Sequence, residues 1–419
     1  MTTERRTAAG RSCPPPNPDS ANTASKARAT DRIYLDFNAS TPLAPEVVAA
    51  MAPFLTEGFG NPSSPHWAGA PARDAVEAAR LQVAMLIGCD PTEVVFTSGG
   101  TEANNHALKG VFFSAGHRFE RPHFITTQVE HPAILEPCRF LQGLGAEVTY
   151  LCVDRYGQID PDEVRRAICP ETVLVSVMHA NNELGTVQPV AEISRFAREA
   201  GITMHSDGVQ AVGRIPTGVN ALGVDLYSLS GHKIYAPKGV GALFVRKGTR
   251  LDPILHGGHH ERERRPGTEN VAGAAALGFA AGWMQSHWAS EAERLRALRD
   301  RLEQGILARV PHAFVNGRKA SRTPNTANIC FEGVEGEAMV IALDLKGFAV
   351  STGAACSSGA VEPSHVLTAI GLPTEKAKAS LRFSLGRSNT VEQVDALIEA
   401  VVEAAEHLRK LSPTYPAHV

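Results

Sequence analysis

The chain has 419 residues, 43% hydrophobic and 20% charged, the composition of an ordinary globular protein with two to three domains. Its 41 basic and 44 acidic residues leave a net charge of −3, without the basic excess of a nucleic-acid binder. No run of about 18 apolar residues suggests a membrane span, and seven cysteines without a CxxC pair fit neither a disulfide scaffold nor a paired-Cys zinc ribbon.

Met1 to Arg32 contain no Leu, Ile, Val, Phe, Tyr or Trp, and hold four Pro. Such a stretch cannot bury enough apolar surface to offset its ordering entropy, so it reads as a disordered tail. It lacks the apolar core of a secretory signal. Pro14–Pro16 and the acids Glu4 and Asp19 weigh against an organelle transit peptide; the cysteine usage fits a reducing compartment, with the bacterial cytoplasm the default expectation. Structure is expected from Ile33.

Seven β-rich runs follow: Glu93–Thr97, His123–Thr127, Glu147–Leu151, Val173–Met178, Ile202–Ser206, Asp225–Leu229 and Gly241–Val245. Most are near-continuous apolar runs, as expected for strands covered on both faces. Helical stretches at Glu102–Phe113, Ala133–Gly143 and Val190–Ala200 alternate with them. This pattern predicts an α/β layer fold with a mainly parallel sheet and helices on both faces. Val271 to Met284, rich in Gly and Ala, reads as a buried helix.

The pattern changes after about His287. Ser290 with Glu293 reads as a capping box that starts a new helix, with Leu295, Leu298, Leu302 and Ile306 at helical spacing. Strand-like runs at Asn325–Phe331, Phe348–Ser351 and Ser380–Ser384 come next. Thr390 and Gln393 form a second capping box, ahead of a last amphipathic helix. The expected organisation is a large domain over 45–287 and a smaller α+β domain made of 33–44 and 288–419.

Four segments carry chemistry. TSGGTE, Thr97 to Glu102, joins a strand to a helix N-terminus, a place that favours anions. Alone it also reads as a plain glycine-containing turn. Asp207, in HSDGVQAVG, ends a strand, where open α/β sheets place ligands. Its carboxylate suits a cationic ring nitrogen, and the plainer alternative is a helix N-cap. Lys233, in SLSGHKIYAPKG, lies between a strand and a glycine turn, with Ser230 and His232 beside it. A confined Lys can serve as a Schiff-base nucleophile. Cys356, in VSTGAACSSGA, is set in Gly, Ala and Ser, which suits a thiol on a mobile loop better than a packed one. An anion cradle, an acid and a Lys in this order specify pyridoxal phosphate.

These segments resemble the cysteine desulfurases of nitrogen fixation and iron–sulfur assembly, which are class V members of the fold-type I pyridoxal phosphate transferases. Further matches are YLDFNASTP (Tyr34–Pro42), FGNPSSPH (Phe59–His66), VEHPAIL (Val129–Leu135), MHANNELGTVQP (Met178–Pro189), RRPGTEN (Arg264–Asn270), EPSHVL (Glu362–Leu367) and LRFSLGR (Leu381–Arg387). They span Ile33 to about Pro413. The resemblance implies a large domain with a seven-stranded, mainly parallel sheet and a small domain carrying the cysteine loop.

It also implies roles. Lys233 would carry the cofactor, and Asp207 would pair with its ring nitrogen. His131 would stack on the ring and move protons. Asn182 and Gln210 would bond near the ring oxygen. Gly100, Thr101, Ser230 and His232 would hold the phosphate, with Thr268 completing that site from the second subunit of a homodimer. Asn38, Asn182 and Arg382 would bind the substrate. The expected reaction takes L-cysteine to L-alanine, leaving a persulfide on Cys356 for a sulfur-acceptor protein. No metal of the protein's own is implied, although Cys356 would contact a nascent iron–sulfur cluster. His256, His259, His260 and Glu261 form a zinc-like set, but the resembling family has a metal-free loop there.

The sequence departs from the family pattern at Gly208 (usually Ala or Thr), Ala236 (usually Gly), Ala354 (often Ser) and His259 (often Gly). These put loop geometry and rate in question more than reaction type. Rival readings are a selenocysteine lyase and a class V aminotransferase or related lyase. The latter would not need Cys356. A non-catalytic relative should have lost Lys233, Asp207 or Cys356.

Overall fold

A computed structural model describes residues 32–116, 118–353 and 362–412. The chain enters at β1 (Ile33–Tyr34), and a seven-stranded sheet follows. Its strands are β2 (Val94–Thr97), β3 (His123–Thr127), β4 (Glu147–Leu151), β5 (Thr172–Ser176), β6 (Thr203–Asp207), β7 (Leu226–Ser230) and β8 (Gly241–Val245). The sheet order is β2-β8-β7-β6-β5-β3-β4. All pairings are parallel except those of β8, which runs antiparallel to β2 and β7. Every residue of β2, β3, β5, β7 and β8 is buried. That explains their unbroken apolar sequence, because helices cover both faces. One face packs its own core with the helices Gly100–Ala115 and Pro132–Gly143. The other packs against Gly69–Ile87, Val190–Glu199 and the start of a long helix.

A second layer holds β9 (Ala313–Val315), β10 (Thr326–Phe331), β11 (Phe348–Ala349) and β12 (Ser380–Ser384). β12, β10 and β9 form an antiparallel sheet, and β11 pairs in parallel with β1. The helix Val391–Leu411 covers this layer. Its Thr390 side chain accepts from Gln393 N in a full capping box, as the sequence predicts.

The expected helix start at Ser290 is corrected by the structure. One helix runs unbroken from Val271 to Arg309, capped by the Asn270 side chain on Gly273 N. Ser290 Oγ instead donates to the His287 carbonyl at 3.0 Å. A Ser inside a helix can satisfy itself on the preceding turn, so a Ser–Glu pair at this spacing is not always a cap. Residues Val271 to Met284 of this helix join the core under the large sheet. Leu295, Leu298, Leu302 and Ile306 join the core of the second layer. The helix therefore ties the two cores together. Among the described residues, no helix is long and apolar enough to cross a membrane.

Candidate active site

The carboxyl ends of the parallel strands and the edge of the second layer enclose a cavity of about 520 Å³. Gly100, Thr101, His131, Asn182, Asp207, Gln210, Ser230, His232, Lys233, Asn38 and Arg382 all line it. They come from stretches up to 344 positions apart (38 to 382), and the sheet topology brings them to one rim. Asp207 and Ser230 are the last residues of β6 and β7. Gly99, at φ 152°, turns the chain out of β2 into the helix that begins at Gly100. The first amides of that helix have no acceptor within it and face a site favourable to an anion.

Lys233 is the last residue of a short 3-10 turn after β7. Its Nζ donates to Asn38 O at 2.6 Å and to Ala39 O at 2.7 Å. Burial, then the nearby Arg214 and Arg382, draw its ammonium pKa down to about 7, against the pull of Asp36 and Asp207. An uncharged amine is therefore well populated at neutral pH, and the uncharged form is the nucleophile. Burial and the neighbouring Lys233 bring His232 down to about 4, so it is neutral there.

The Asp207 carboxylate is held at both oxygens. Oδ1 accepts from Val209 N at 2.9 Å, and Oδ2 accepts from Asn104 Nδ2 at 2.7 Å. The first contact caps a turn and not the helix of the plainer reading, because residues 209–214 form turns. The second comes from a residue that the sequence reading missed. Asn104 lies inside the helix Gly100–Ala115 and is buried. Nothing in its local pattern separates it from an ordinary helix residue, and only the sheet order brings it to Asp207.

The unusual Gly208 has a structural reason. A Cβ there would lie 2.0 Å from Cζ of Tyr227 and 2.3 Å from its hydroxyl oxygen. Tyr227 is fully buried, and its hydroxyl pairs with His179 Nδ1 at 2.9 Å. The large side chain on β7 occupies the space that a side chain at 208 would need.

His131 caps the helix Pro132–Gly143: its Nδ1 accepts from Ala133 N at 3.0 Å. This bond fixes the neutral tautomer, with hydrogen on Nε2. Burial lowers the pKa of the ring as a whole, although Asp207 opposes this. Arg382, buried in the middle of β12, donates to Asp36 Oδ1 at 2.7 Å and to Asn182 O at 3.1 Å. It therefore does form an ion pair, but at the cavity and not at the surface. Its Nε is buried and has no partner among the described residues. Asn38 Nδ2 donates to Asn182 O and Thr326 Oγ1, which ties the segment after β1 across the site. Gln210 is more occupied than expected. Its Oε1 accepts from Arg214, and its Nε2 donates to Asn38 O at 2.9 Å, leaving one N–H for a ligand.

Thr268 is exposed and does not line the cavity of its own chain. Cys356, Ala354 and the tail up to Asp31 lie outside the described residues. Ser351 and Gly353, which lead to Cys356, line the cavity. Glu261 is not available to the histidines near it in sequence. It turns inward and forms a buried pair with Arg80 at 2.7 Å, while also accepting from Phe96 N.

A Lys amine, a doubly held carboxylate and a helix N-terminus around one cavity fit pyridoxal phosphate in all three of its attachment chemistries. The fold and site therefore define a pyridoxal phosphate enzyme of fold type I. Residues 33–397 match the aminotransferase class-V family. The chain is 50% identical to a cysteine desulfurase IscS of Dictyoglomus turgidum over 91% of its own length and 96% of the relative's. It is 48% identical to a cysteine desulfurase IscS of Methanosarcina thermophila over 92% and 94%. Among solved structures, a NifS-like protein superposes with a TM-score of 0.84 at 35% identity, over 90% of this chain and all of that one. SspA in complex with cysteine gives 0.75 at 37% identity, over 84% and 98%. The chain belongs to the class-V aminotransferase family and, within it, to the cysteine desulfurases.

Proposed function

We propose that this cavity converts L-cysteine to L-alanine and passes the sulfur to Cys356 as a persulfide. The observation that carries this reading is the guanidinium of Arg382, a buried residue that lines the same cavity as Lys233. The N–H fork of a guanidinium at a cavity wall matches a carboxylate in geometry and charge, and the substrate carries one.

Pyridoxal phosphate, when bound, supplies an electron sink that eases loss of the proton on the substrate α-carbon. Lys233 would carry it, with Asp207 on the ring nitrogen, one remaining N–H of Gln210 near the ring oxygen, and Gly100, Thr101, Ser230 and His232 around the phosphate. Arg382, with Asn38 and Asn182, orients the substrate carboxylate. The free amine of Lys233 takes and returns the α-proton. His131 presents its Nε2–H over the site, and the Nδ1 contact to Ala133 keeps it in that form.

Cys356 stands three positions beyond Gly353, a cavity-lining residue. Three residues reach at most about 10 Å, so the tether keeps the thiol near the substrate. Its thiolate attacks the substrate sulfur. A sulfur–sulfur bond forms and the carbon–sulfur bond breaks. The electron pair stays with the substrate carbon, which takes a proton and leaves as alanine. The persulfide then passes to an acceptor thiol, such as that of an iron–sulfur scaffold.

A homodimer belongs to this reading. Thr268 would reach the partner's phosphate site, which accords with its exposure here. Phe59 and Trp67, 73% and 82% exposed in the single chain, supply apolar surface for such a contact. The cytoplasm, a reducing compartment, suits this thiol chemistry. The test is mass spectrometry of the Cys356 peptide after a brief exposure to L-cysteine. A peptide heavier by one sulfur atom is expected. Alanine formed while that peptide stays unmodified would refute the reading.

A further inference from the structure

Arg214 is a buried cation. It is 8% exposed, and among the described residues it makes no ion pair. Its donors go to neutral acceptors: Gln210 O at 3.1 Å, Gln210 Oε1, and Phe37 O at 3.4 Å. Burying an unpaired charge carries a large desolvation cost. A neutral side chain would hold a glutamine at far lower cost. Charges kept at such a cost concentrate at functional sites.

The contacts of Arg214 lead to the reactive amine. Arg214 grips Gln210 Oε1, the other end of that amide donates to Asn38 O, and the same carbonyl accepts from Lys233 Nζ. We propose that Arg214 is a positioning residue for Lys233, clamping Gln210 so that the Asn38 carbonyl receives and aims the lysine amine. It acts through Gln210 and touches neither substrate nor cofactor.

A second consequence is electrostatic. The charged and titratable groups facing Lys233 are Arg214 from the turn after β6, Arg382 from β12, Asp36 after β1, Asp207 at the end of β6, His131 at its helix cap and the adjacent His232. Arg214 is the leading charge that favours the free amine. Removing it leaves Asp36 and Asp207 less opposed, so Lys233 would hold its proton to higher pH.

This inference rests on Lys233 as the attachment point of the cofactor. The test uses cofactor-free protein mixed with pyridoxal phosphate, and follows the capture rate by visible absorbance from pH 6 to 10. Wild type should show a rate that rises with a midpoint near 7. Arg214→Met should move the midpoint up by about one unit, so that capture at pH 7 slows about fivefold. Arg214→Lys, which keeps the charge, should stay near wild type. Circular dichroism identifies folded variants, and Arg214→Gln, with the same expected shift, replaces Arg214→Met if that protein does not fold. A folded neutral variant with an unchanged midpoint would overturn the proposal, as would an Arg214→Lys midpoint shifted as far as that of the neutral variant. Lys233→Ala is the control for the underlying reading. If it captures cofactor as fast as wild type, the assignment of Lys233 itself fails.

Discussion

Gly208→Ala should destabilise the protein through one side chain, Tyr227. The added Cβ would sit 2.0 Å from the ring and 2.3 Å from the hydroxyl oxygen. The ring is fully buried in β7 and has no room to swing aside. Overpacking of this kind costs about 1–3 kcal/mol, and displacing the hydroxyl from His179 Nδ1 adds about 1 kcal/mol, so the expected loss is about 2–4 kcal/mol. His179 N also donates to Asp207 O at 2.9 Å, so the displacement should reach the cofactor site and weaken cofactor binding as well. Urea unfolding of Gly208→Ala, Tyr227→Met and the double variant measures this. Tyr227→Met alone should also destabilise, because it leaves His179 without its partner. The double variant should be more stable than the sum of the two losses predicts, by at least about 1 kcal/mol, because the two side chains compete for one space. Strict additivity, or a silent Gly208→Ala, would refute the packing argument.

Asn104→Ala removes a hydrogen bond to the Asp207 carboxylate, a contact of a kind worth about 1.5–3 kcal/mol. Cofactor affinity, measured by titrating cofactor-free protein, should fall about 10- to 100-fold. Arg382→Ala should raise KM for L-cysteine about 100-fold in steady-state alanine release, since truncating a buried charged partner costs about 2–5 kcal/mol; Arg382→Lys should recover little, because it lacks the planar guanidinium edge. The cofactor-free protein should gain stability from Lys233 as pH rises from about 7 towards 10.5, because the unfolded chain keeps this proton to about 10.5 while the folded site releases it near 7. Comparing denaturation midpoints of wild type and Lys233→Met across that window should show this rise only in wild type.

Much of the large sheet was legible because its strands are buried on both faces. The runs His123–Thr127 and Gly241–Val245 coincide with the fully buried β3 and β8, and Glu147–Leu151 coincides with β4, an edge strand that is only partly buried. Ser380–Ser384 coincides with β12. The lysine, the acid and the glycine turn were legible because each lies at a strand end, where local sequence reports the turn. Asn104 and Arg214 were not. Their partners lie across the fold, 103 positions away for Asn104 and Asp207, and local periodicity carries no record of such contacts. Glu261 misled for the same reason, since it stands beside His259 and His260 in sequence but pairs with Arg80, 181 positions away. Ser290 shows the converse failure, a local capping pattern overridden by a helix that packs on both sides of it.

The central claim is that sulfur leaves the substrate by way of Cys356. It is tested most directly by alanine release from L-cysteine, with wild type and Cys356→Ala compared at equal cofactor content. Alanine from wild type, and none above background from the variant, is the predicted result. Equal alanine release from both proteins would contradict it.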